Sequence, residues 1–204
     1  MIIGDPIRTV APTALPVSLS EFKAHERILS DEEDAYLAGL LRVATEYAEQ
    51  YTGLSLITST WTQTFSAFAE TNPTRNAPLI LRRRPLQAVL SVEYLADTTT
   101  SATLDPTSYR VLRIGSDMTP GAIALVYGGS WPTTFTDDEA ITVTYRAGFG
   151  DDHNAVPEMI RHAIQMAAGT WYGFREDVIM GSTLAELPST SRALLREWRP
   201  LGVA

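Results

Sequence analysis

The sequence has 204 residues, of which 45% are hydrophobic and 20% are charged, and its formal net charge at pH 7 is −8. This composition is that of an ordinary globular domain, and the acidic balance argues against a protein that grips nucleic acid through a broad basic face. There is no cysteine, so disulfides and thiolate metal sites are excluded. No apolar stretch approaches the roughly 20 residues that span a bilayer, and residues 1–8 lack the pattern of a signal peptide, so we expect no membrane segment.

Residues 1–15 show no period and contain Pro6 and Pro12, which indicates an extended N-terminal arm. Two interpretations stay open for this arm. It is either a disordered terminus or a segment that becomes ordered against a neighbouring subunit.

Two serines mark the starts of the predicted N-terminal helices. Ser18 with Glu21, and Ser30 with Glu33, have capping-box spacing, in which each side chain accepts a hydrogen bond from the other residue's backbone N–H. We predict a short helix from residue 18 to about 27, and a longer one from about 31 to 52 that Gly53 ends. The longer helix has one apolar face, formed by Leu37, Leu40, Leu41, Ala44, Tyr47, Ala48 and Tyr51.

Residues 55–147 are predicted to form an antiparallel β module. From Ile57 to Phe65 the sequence has period two: Ile57, Trp61 and Phe65 face one way and four threonines face the other, which is the pattern of a half-buried strand. The threonine face is either plain solvent surface or an edge that pairs with a neighbour. Further short strands follow at a spacing set by Gly, Pro and Asp turns, and this favours an antiparallel sheet or small sandwich over βαβ units.

Three consecutive arginines, Arg82, Arg83 and Arg84, form the most concentrated positive charge in the sequence. One hypothesis is a basic cluster that contacts an acidic partner surface or DNA. The alternative is a solvated strand end whose charges offset the acidic remainder of the chain.

The C-terminal part begins with a strand at residues 140–147, which leads through Gly148 and Gly150 into an acidic corner. Pro157 suits the first position of a helix that should end at Gly173. A last helix, capped by Ser189 or Thr190, is predicted to reach residue 198. It either packs on the core or docks onto a partner, and together with the three arginines its candidate interface residues are Arg192, Leu195, Arg196, Trp198 and Arg199.

The sequence lacks the motifs that usually mark catalysis or cofactor binding, such as a nucleophile elbow, a phosphate-binding loop or an HExxH zinc site. Asp151, Asp152 and His153 are the one triplet that could hold a divalent ion, and a hydrated corner before a helix explains them more simply. We therefore predict no catalytic residue, no cofactor and no metal ligand.

Three pieces of the sequence, in this order, resemble the head–tail connector (adaptor, head-completion) proteins of tailed phages and gene transfer agents. The first is Pro16–His25 and the second is Pro78–Val89. The third is Thr144–Gly150 followed by Val156–Ile164. Together they extend over most of the chain from about residue 16, although the resemblance assigns no role to the arginines.

The resemblance implies a structural virion protein that is not an enzyme. Such a protein forms a homo-oligomeric ring, of twelve copies, that binds the portal protein, seals the DNA-filled head and offers a surface to a tail terminator or stopper protein. DNA would pass through the ring without sequence-specific binding. The expected location is the head–tail junction of the virion, with the bacterial host cytoplasm before assembly and no membrane.

Two other functions stay open at this stage. One is a tail terminator or tail-completion protein, which an α+β chain of this size also suits. The other is a metal-dependent binding module or hydrolase that uses the acidic corner at Asp151, Asp152 and His153.

The fold class that we predict is α+β. Helices at residues 18–52 and 157–198 form one helical bundle, because each has an apolar stripe to cover, and the antiparallel β module at residues 55–147 is inserted between them. Residues 16–204 are then a single connector-like domain that follows the arm at residues 1–15.

Overall fold

The computed structural model describes residues 3–68, 71–72, 75–76, 78–174 and 189–199. The chain divides into two compact units. The β unit comprises Met1–Ala11 and Thr58–Gly148, and the helical unit comprises Pro12–Ile57 and Phe149–Ala204. The α+β prediction is confirmed, with helices from both ends of the sequence in one unit and antiparallel sheets in the other. No helix in the described part of the chain is long and apolar enough to cross a membrane.

In the described residues, the helical unit contains four helices, which are α1 (Leu19–Glu26), α2 (Asp34–Thr52), α3 (Glu158–Gly173) and α4 (Ser189–Arg196). The capping box predicted at Ser18 and Glu21 is present at the start of α1. Gly53 ends α2 as predicted, with a positive φ of 70° that suits glycine.

The second predicted capping box is wrong, because α2 begins at Asp34, three residues later than expected. Ser30 does not cap the helix, and its Oγ accepts a hydrogen bond from the backbone N–H of Glu32 instead. Lys23 of α1 pairs with Asp31 and, at 2.7 Å, with Asp34. Residues 31–33 therefore form a turn rather than the first turn of the helix, and Asp34 N donates to Asp31 O across it.

The core of the helical unit lies between the apolar faces of its helices. Alanines at the contact between α2 and α3 let the two backbones approach closely, because they add little volume between them. Tyr47 of α2 lies edge to face with Trp171 of α3, their ring centroids 6.1 Å apart. The buried residues of this core are Val17, Phe22, Leu37, Leu41, Ala44, Ala48, Leu54, Leu56, Ile57, Val156, Ile160, Ala163, Ile164, Ala167, Ala168 and Leu195.

Arg161 of α3 is a buried cation in this unit, with 7% of its surface exposed. Its guanidinium contacts Glu21 Oε1, donates to Glu158 Oε1 at 2.7 Å, and donates through Nε to the Pro16 carbonyl at 3.2 Å. The second oxygen of Glu21 accepts from Ser18 N at 2.9 Å and from Ser18 Oγ at 2.8 Å. One carboxylate thus completes the cap of α1 and holds that cap against α3.

Glu21 is stabilised in its charged form at this position. Partial burial raises the pKa of its carboxyl, but the hydrogen bonds from Ser18 and the positive charge of Arg161 outweigh burial, so the net pKa is below its ordinary value of 4.5.

The described strands of the β unit are β1 (Ile7–Val10), β2 (Ser59–Phe65), β3 (Thr71–Asn72), β4 (Arg75–Asn76), β5 (Leu79–Leu81), β6 (Leu86–Leu95), β7 (Ser101–Thr103), β8 (Tyr109–Leu112), β9 (Gly121–Leu125) and β10 (Ile141–Ala147). They form two main antiparallel sheets and one two-residue pair. The five-stranded sheet has the strand order β1-β2-β10-β6-β7, the three-stranded sheet has the order β5-β9-β8, and β3 pairs with β4.

The segment predicted as an extended arm contributes β1 to the edge of the five-stranded sheet. Ile7 pairs with Thr62 and Val10 with Thr60 of β2, with a bulge between Arg8 and Val10. The arm is therefore ordered against its own chain, which neither interpretation of the sequence anticipated. The β unit consequently takes strands from both sides of α1 and α2 in the sequence.

The alternation predicted for β2 is confirmed. Trp61, Gln63 and Phe65 are buried, and the threonines between them are half-buried on the opposite face. Gln63 is the polar member of the buried set. Its Nε2 donates to the Ile80 carbonyl at 3.2 Å, and its Oε1 accepts from Arg82 N at 3.0 Å, so this side chain links β2 to the β5 segment.

Arg84 is turned into the β unit, where 2% of its surface is exposed. Its Nη1 donates to the backbone carbonyls of Asp117 and Met118, both at 2.9 Å. Burial lowers the pKa of the guanidinium below its ordinary value, and the nearby charge of Asp117 partly offsets this. Arg84 is therefore a structural residue whose buried side chain holds the backbone of the β8–β9 loop.

We predict that Glu21→Gln lowers the free energy of unfolding by about 2 kcal/mol, because it leaves the buried Arg161 without its main counter-charge. The matched control is Glu158→Gln, which removes the other carboxylate from the same guanidinium. The Glu158 side chain is 87% exposed, so its loss should cost less than about 1 kcal/mol. Urea unfolding followed by circular dichroism measures both, and equal effects would contradict the central role of Glu21.

The effect of Glu21→Gln should also depend on pH. Because the folded-state pKa of Glu21 is depressed, its contribution is complete above the unfolded-state value and is lost as the pH falls through the folded-state value. The difference in unfolding free energy between wild type and Glu21→Gln should therefore shrink as the pH is lowered from 7 to 3. A difference that stays constant over this range would show that the charge of Glu21 contributes nothing.

Replacing Arg84 should destabilise the β unit far more than replacing its sequence neighbour Arg82. Arg84→Ala removes a buried side chain and two hydrogen bonds, for which we expect a loss of about 3 kcal/mol. Arg82→Ala breaks an ion pair whose side chains are 48% and 90% exposed, so its cost should be within about 0.5 kcal/mol. Thermal unfolding of the two variants beside the wild type gives the comparison, and similar melting temperatures would contradict it.

Candidate partner-binding surfaces

The three consecutive arginines do not form one exposed cluster. Arg82 is exposed and pairs with Asp5 through Nη1 at 2.6 Å. Arg83 is half-buried, and Arg84 is buried. The basic surface expected here is therefore reduced to Arg82 and the accessible part of Arg83, since Arg84 faces the interior.

The ring of Trp61 contacts two arginines, Arg83 and Arg8. The guanidinium carbon of Arg83 lies 4.4 Å from the centroid of the Trp61 ring, and that of Arg8 lies 4.6 Å from it. Cation–π contacts of this kind hold both guanidiniums in fixed positions. The sequence contained no signal for Arg8, because its approach to Trp61 depends on the pairing of β1 with β2.

The candidate residues on and after α4 divide into buried and accessible members. Leu195 is 1% exposed and belongs to the core of the helical unit. Trp198 is half-buried and lies edge to face with Phe149, the centroids 6.1 Å apart. Packing against the chain's own core, one of the two interpretations left open, therefore holds for these two side chains.

The arginines of the same segment lie nearer to solvent. Arg196 and Arg199 are exposed, and Arg192 is half-buried. The guanidinium of Arg199 lies 5.5 Å from the centre of the Tyr51 ring at the end of α2. Arg196 and Arg199 are thus the residues of this group that a partner could reach.

The acidic corner at Asp151, Asp152 and His153 is used for local structure. Asp152 begins a short 3₁₀ helix at His153–Ala155, and its Oδ1 accepts from the N–H of Asn154 at 2.7 Å. This hydrogen bond is the main cause that lowers the pKa of Asp152. Among the described residues, no group of three or more His, Asp or Glu side chains is placed to hold a metal ion.

A third accessible surface lies at the β8–β9 loop. Ile114 and Met118 are apolar residues in this turn, and 60% and 53% of their surfaces are exposed. Reasoning from the sequence missed them because Gly115, Ser116 and Asp117 between them indicated only a hairpin turn. The signal that could have found them is the presence of two large apolar residues inside a polar turn.

Comparison with known proteins identifies relatives of this chain. Residues 16–93 match the family model described as Phage gp6-like head-tail connector protein. A search of curated protein sequences returns no match. The family match includes α1, α2 and the first two of the three sequence pieces that carried the resemblance.

Solved structures with the same fold come from gene transfer agent (GTA) particles. A chain of "Virion of native gene transfer agent (GTA) particle" is 21% identical with a TM-score of 0.75, and the match covers 98% of this chain and 97% of that one. A chain of "Neck of empty GTA particle computed with C6 symmetry" is also 21% identical with a TM-score of 0.76 and the same coverage, 98% and 97%.

A third chain, from "Neck of native GTA particle computed with C12 symmetry", is 24% identical with a TM-score of 0.71 over 100% of this chain and 98% of that one. The resemblance seen in the sequence is thereby confirmed. Residues 16–93 match the gp6-like head-tail connector family model, and the chain as a whole has the fold of chains from the gene transfer agent particle and its neck.

Proposed function

We propose that this chain is a head–tail connector, a structural virion protein that seals a DNA-filled head and provides the surface to which a tail attaches. The observation that carries the proposal is the fold shared over 98–100% of the chain with chains of GTA particles and their necks. The connector family match over residues 16–93 supports it independently of the structure.

The working form of the protein would be a ring. Two of the related structures are necks computed with C6 and C12 symmetry, which supports a cyclic homo-oligomer and, more finely, a dodecamer. In a cyclic ring each subunit presents one surface to one neighbour and a different surface to the other. Within this ring, residues 16–204 together with strand β1 of the N-terminal segment would act as one connector-like subunit.

The partners that we propose are the portal protein on the head side and a tail terminator or stopper protein on the tail side. DNA would pass through the ring without sequence-specific contacts. The net charge of −8 supports this, because an acidic wall repels phosphates instead of holding them. The protein would act at the head–tail junction of the virion, after synthesis in the host cytoplasm.

The accessible basic residues are the proposed contact points. Arg196 and Arg199 beside α4 form our candidate portal-binding surface, and Arg192 lies next to them. Arg82 and Arg83 form a second candidate surface on the β unit. Arg84, Leu195 and Trp198 support these surfaces from within their units.

Recognition and sealing need no catalytic group, so we propose a protein without enzymatic activity. A tail terminator or tail-completion protein remains the second candidate, but no observation favours it. The connector family match includes the two N-terminal helices, α1 and α2.

Deletion of the gene in the producing strain, followed by electron microscopy, tests the proposal. We expect separate tails beside tailless heads, because the junction between them would be missing. Complementation with the unaltered gene should restore joined particles. Joined particles with tails of abnormal length would instead favour the terminator function, and normal particles would exclude both.

Charge reversal next to α4 should impair joining without unfolding the protein. Arg196→Glu combined with Arg199→Glu replaces two exposed cations, so we expect a change in stability within about 0.5 kcal/mol per site. Joined particles in the complemented deletion strain should fall at least about tenfold, corresponding to about 1.4 kcal/mol of lost binding. Arg42→Glu, at an exposed position of α2, is the matched control, and an equal loss with it would contradict a specific α4 surface.

A further inference from the structure

The β8–β9 loop, residues 113–120, presents an apolar tip to solvent. Ile114 is 60% exposed and Met118 is 53% exposed. Arg110 and Arg113 are also exposed beside them. On the surface of the β unit this loop presents Ile114, Met118 and Arg113, while its Asp117 is half-buried and Arg110 lies beside it in β8. We call residues 113–120 the tip loop.

The backbone of the tip loop is held in one conformation by several contacts. Arg113 and Gly115 both have positive φ angles, of 59° and 75°. Gly115 N donates to the Leu86 carbonyl at 2.8 Å. The hydroxyls of Ser116 and Thr119 hydrogen-bond to each other at 2.7 Å.

The buried side chain of Arg84 also holds the backbone of the tip loop from the interior of the β unit. Burying a cation costs several kcal/mol unless it is compensated, and two of the hydrogen bonds that compensate Arg84 come from carbonyls of the tip loop, at Asp117 and Met118. The same Met118 whose carbonyl is fixed from inside has its side chain exposed outside. The backbone of the tip loop is thus ordered in the free protein. A partner that binds it would lose little free energy to the conformational entropy of ordering the loop, which is what preorganisation means.

A complementary surface is present at the α1–α2 corner of the helical unit. Leu29 is 96% exposed and Tyr36 is 40% exposed. Residues 27–36 contain four carboxylates, at positions 31 to 34, and one arginine. Of these carboxylates, Asp31 and Glu32 are exposed, so the corner combines apolar side chains with negative charge.

We propose that the tip loop of one subunit docks onto the α1–α2 corner of a second copy of this chain. Met118 and Ile114 would pack against Leu29 and Tyr36, and Arg113 would face Glu32. The two surfaces are different patches of the chain, as a head-to-tail contact in a ring requires. Their exposed charged side chains, Arg110 and Arg113 on one and Asp31 and Glu32 on the other, are opposite in sign.

The choice of a second copy rests on the proposed ring. Each subunit of a ring must carry two different and mutually complementary surfaces, and the tip loop and the corner meet this condition in both charge and hydrophobicity. A tail protein or the portal that occupied the tip loop would be an alternative outcome of the test. The two apolar side chains would act as the buried anchors of the contact, and the charges would set its register.

Cysteine cross-linking tests this contact directly, because the chain contains no cysteine of its own. The double variant Met118→Cys/Leu29→Cys is supplied to the deletion strain as the sole copy, and purified particles are oxidised and run on non-reducing gels. We expect a ladder of covalent oligomers, since each subunit would be joined to both of its neighbours. Either single variant should remain monomeric.

The matched control is Met118→Cys/Val43→Cys. Val43 is 54% exposed on α2, seven positions beyond Tyr36 and so about 10 Å further along the helix axis. Only the Leu29 pair should give the ladder. Monomer alone from the Leu29 pair, or an equal ladder from the Val43 pair, would overturn the proposed contact.

Charge reversal gives a second readout for the case in which the double-cysteine chain does not enter particles. Arg113→Glu should reduce joined particles at least about tenfold, and adding Glu32→Arg should restore most of the loss. Failure of the second change to rescue the first would overturn the contact. In either experiment the connector function stands or falls separately, because it is decided by the phenotype of the gene deletion.

Discussion

The pairing of Glu21 with Arg161 is the interaction on which the helical unit depends most. These residues are 140 positions apart, yet one carboxylate closes the capping box of α1 and neutralises the buried guanidinium of α3. The Glu21 side chain thus makes both a local contact, to Ser18, and a long-range contact, to Arg161. A change of conformation at the start of α1 would remove Glu21 from Arg161 and leave it with Glu158, whose side chain is 87% exposed. The loss of a partner is costly for a buried cation.

The parts of the fold that were predictable are those set by short-range chemistry. The Ser18 cap, the Gly53 stop and the alternation of Trp61 with its neighbours each depend on residues close in sequence. The Ser30 cap is absent because residues 31–33 form a turn, which is accompanied by pairing of Asp31 and Asp34 with Lys23 of another helix. The position of β1 in the sheet could not be predicted from the sequence either, because it is set by pairing with Thr60 and Thr62, about fifty residues further along the chain.

The candidate surfaces illustrate the same limit. A run of three arginines shows how much charge is present, but not which side chains reach solvent. In the fold, Arg82 faces outward while Arg84 points inward and shapes the tip loop, so neighbours of identical chemistry have opposite roles. The α4 segment divides likewise, with Leu195 in the core and Arg196 exposed.

A reconstruction of the neck of the particle that contains this protein tests the connector proposal most directly. The account predicts a closed ring of this chain between the portal and the tail, with both compact units recognisable in each subunit. Density for the chain at the distal end of the tail, or a junction ring built from a different protein, would contradict it.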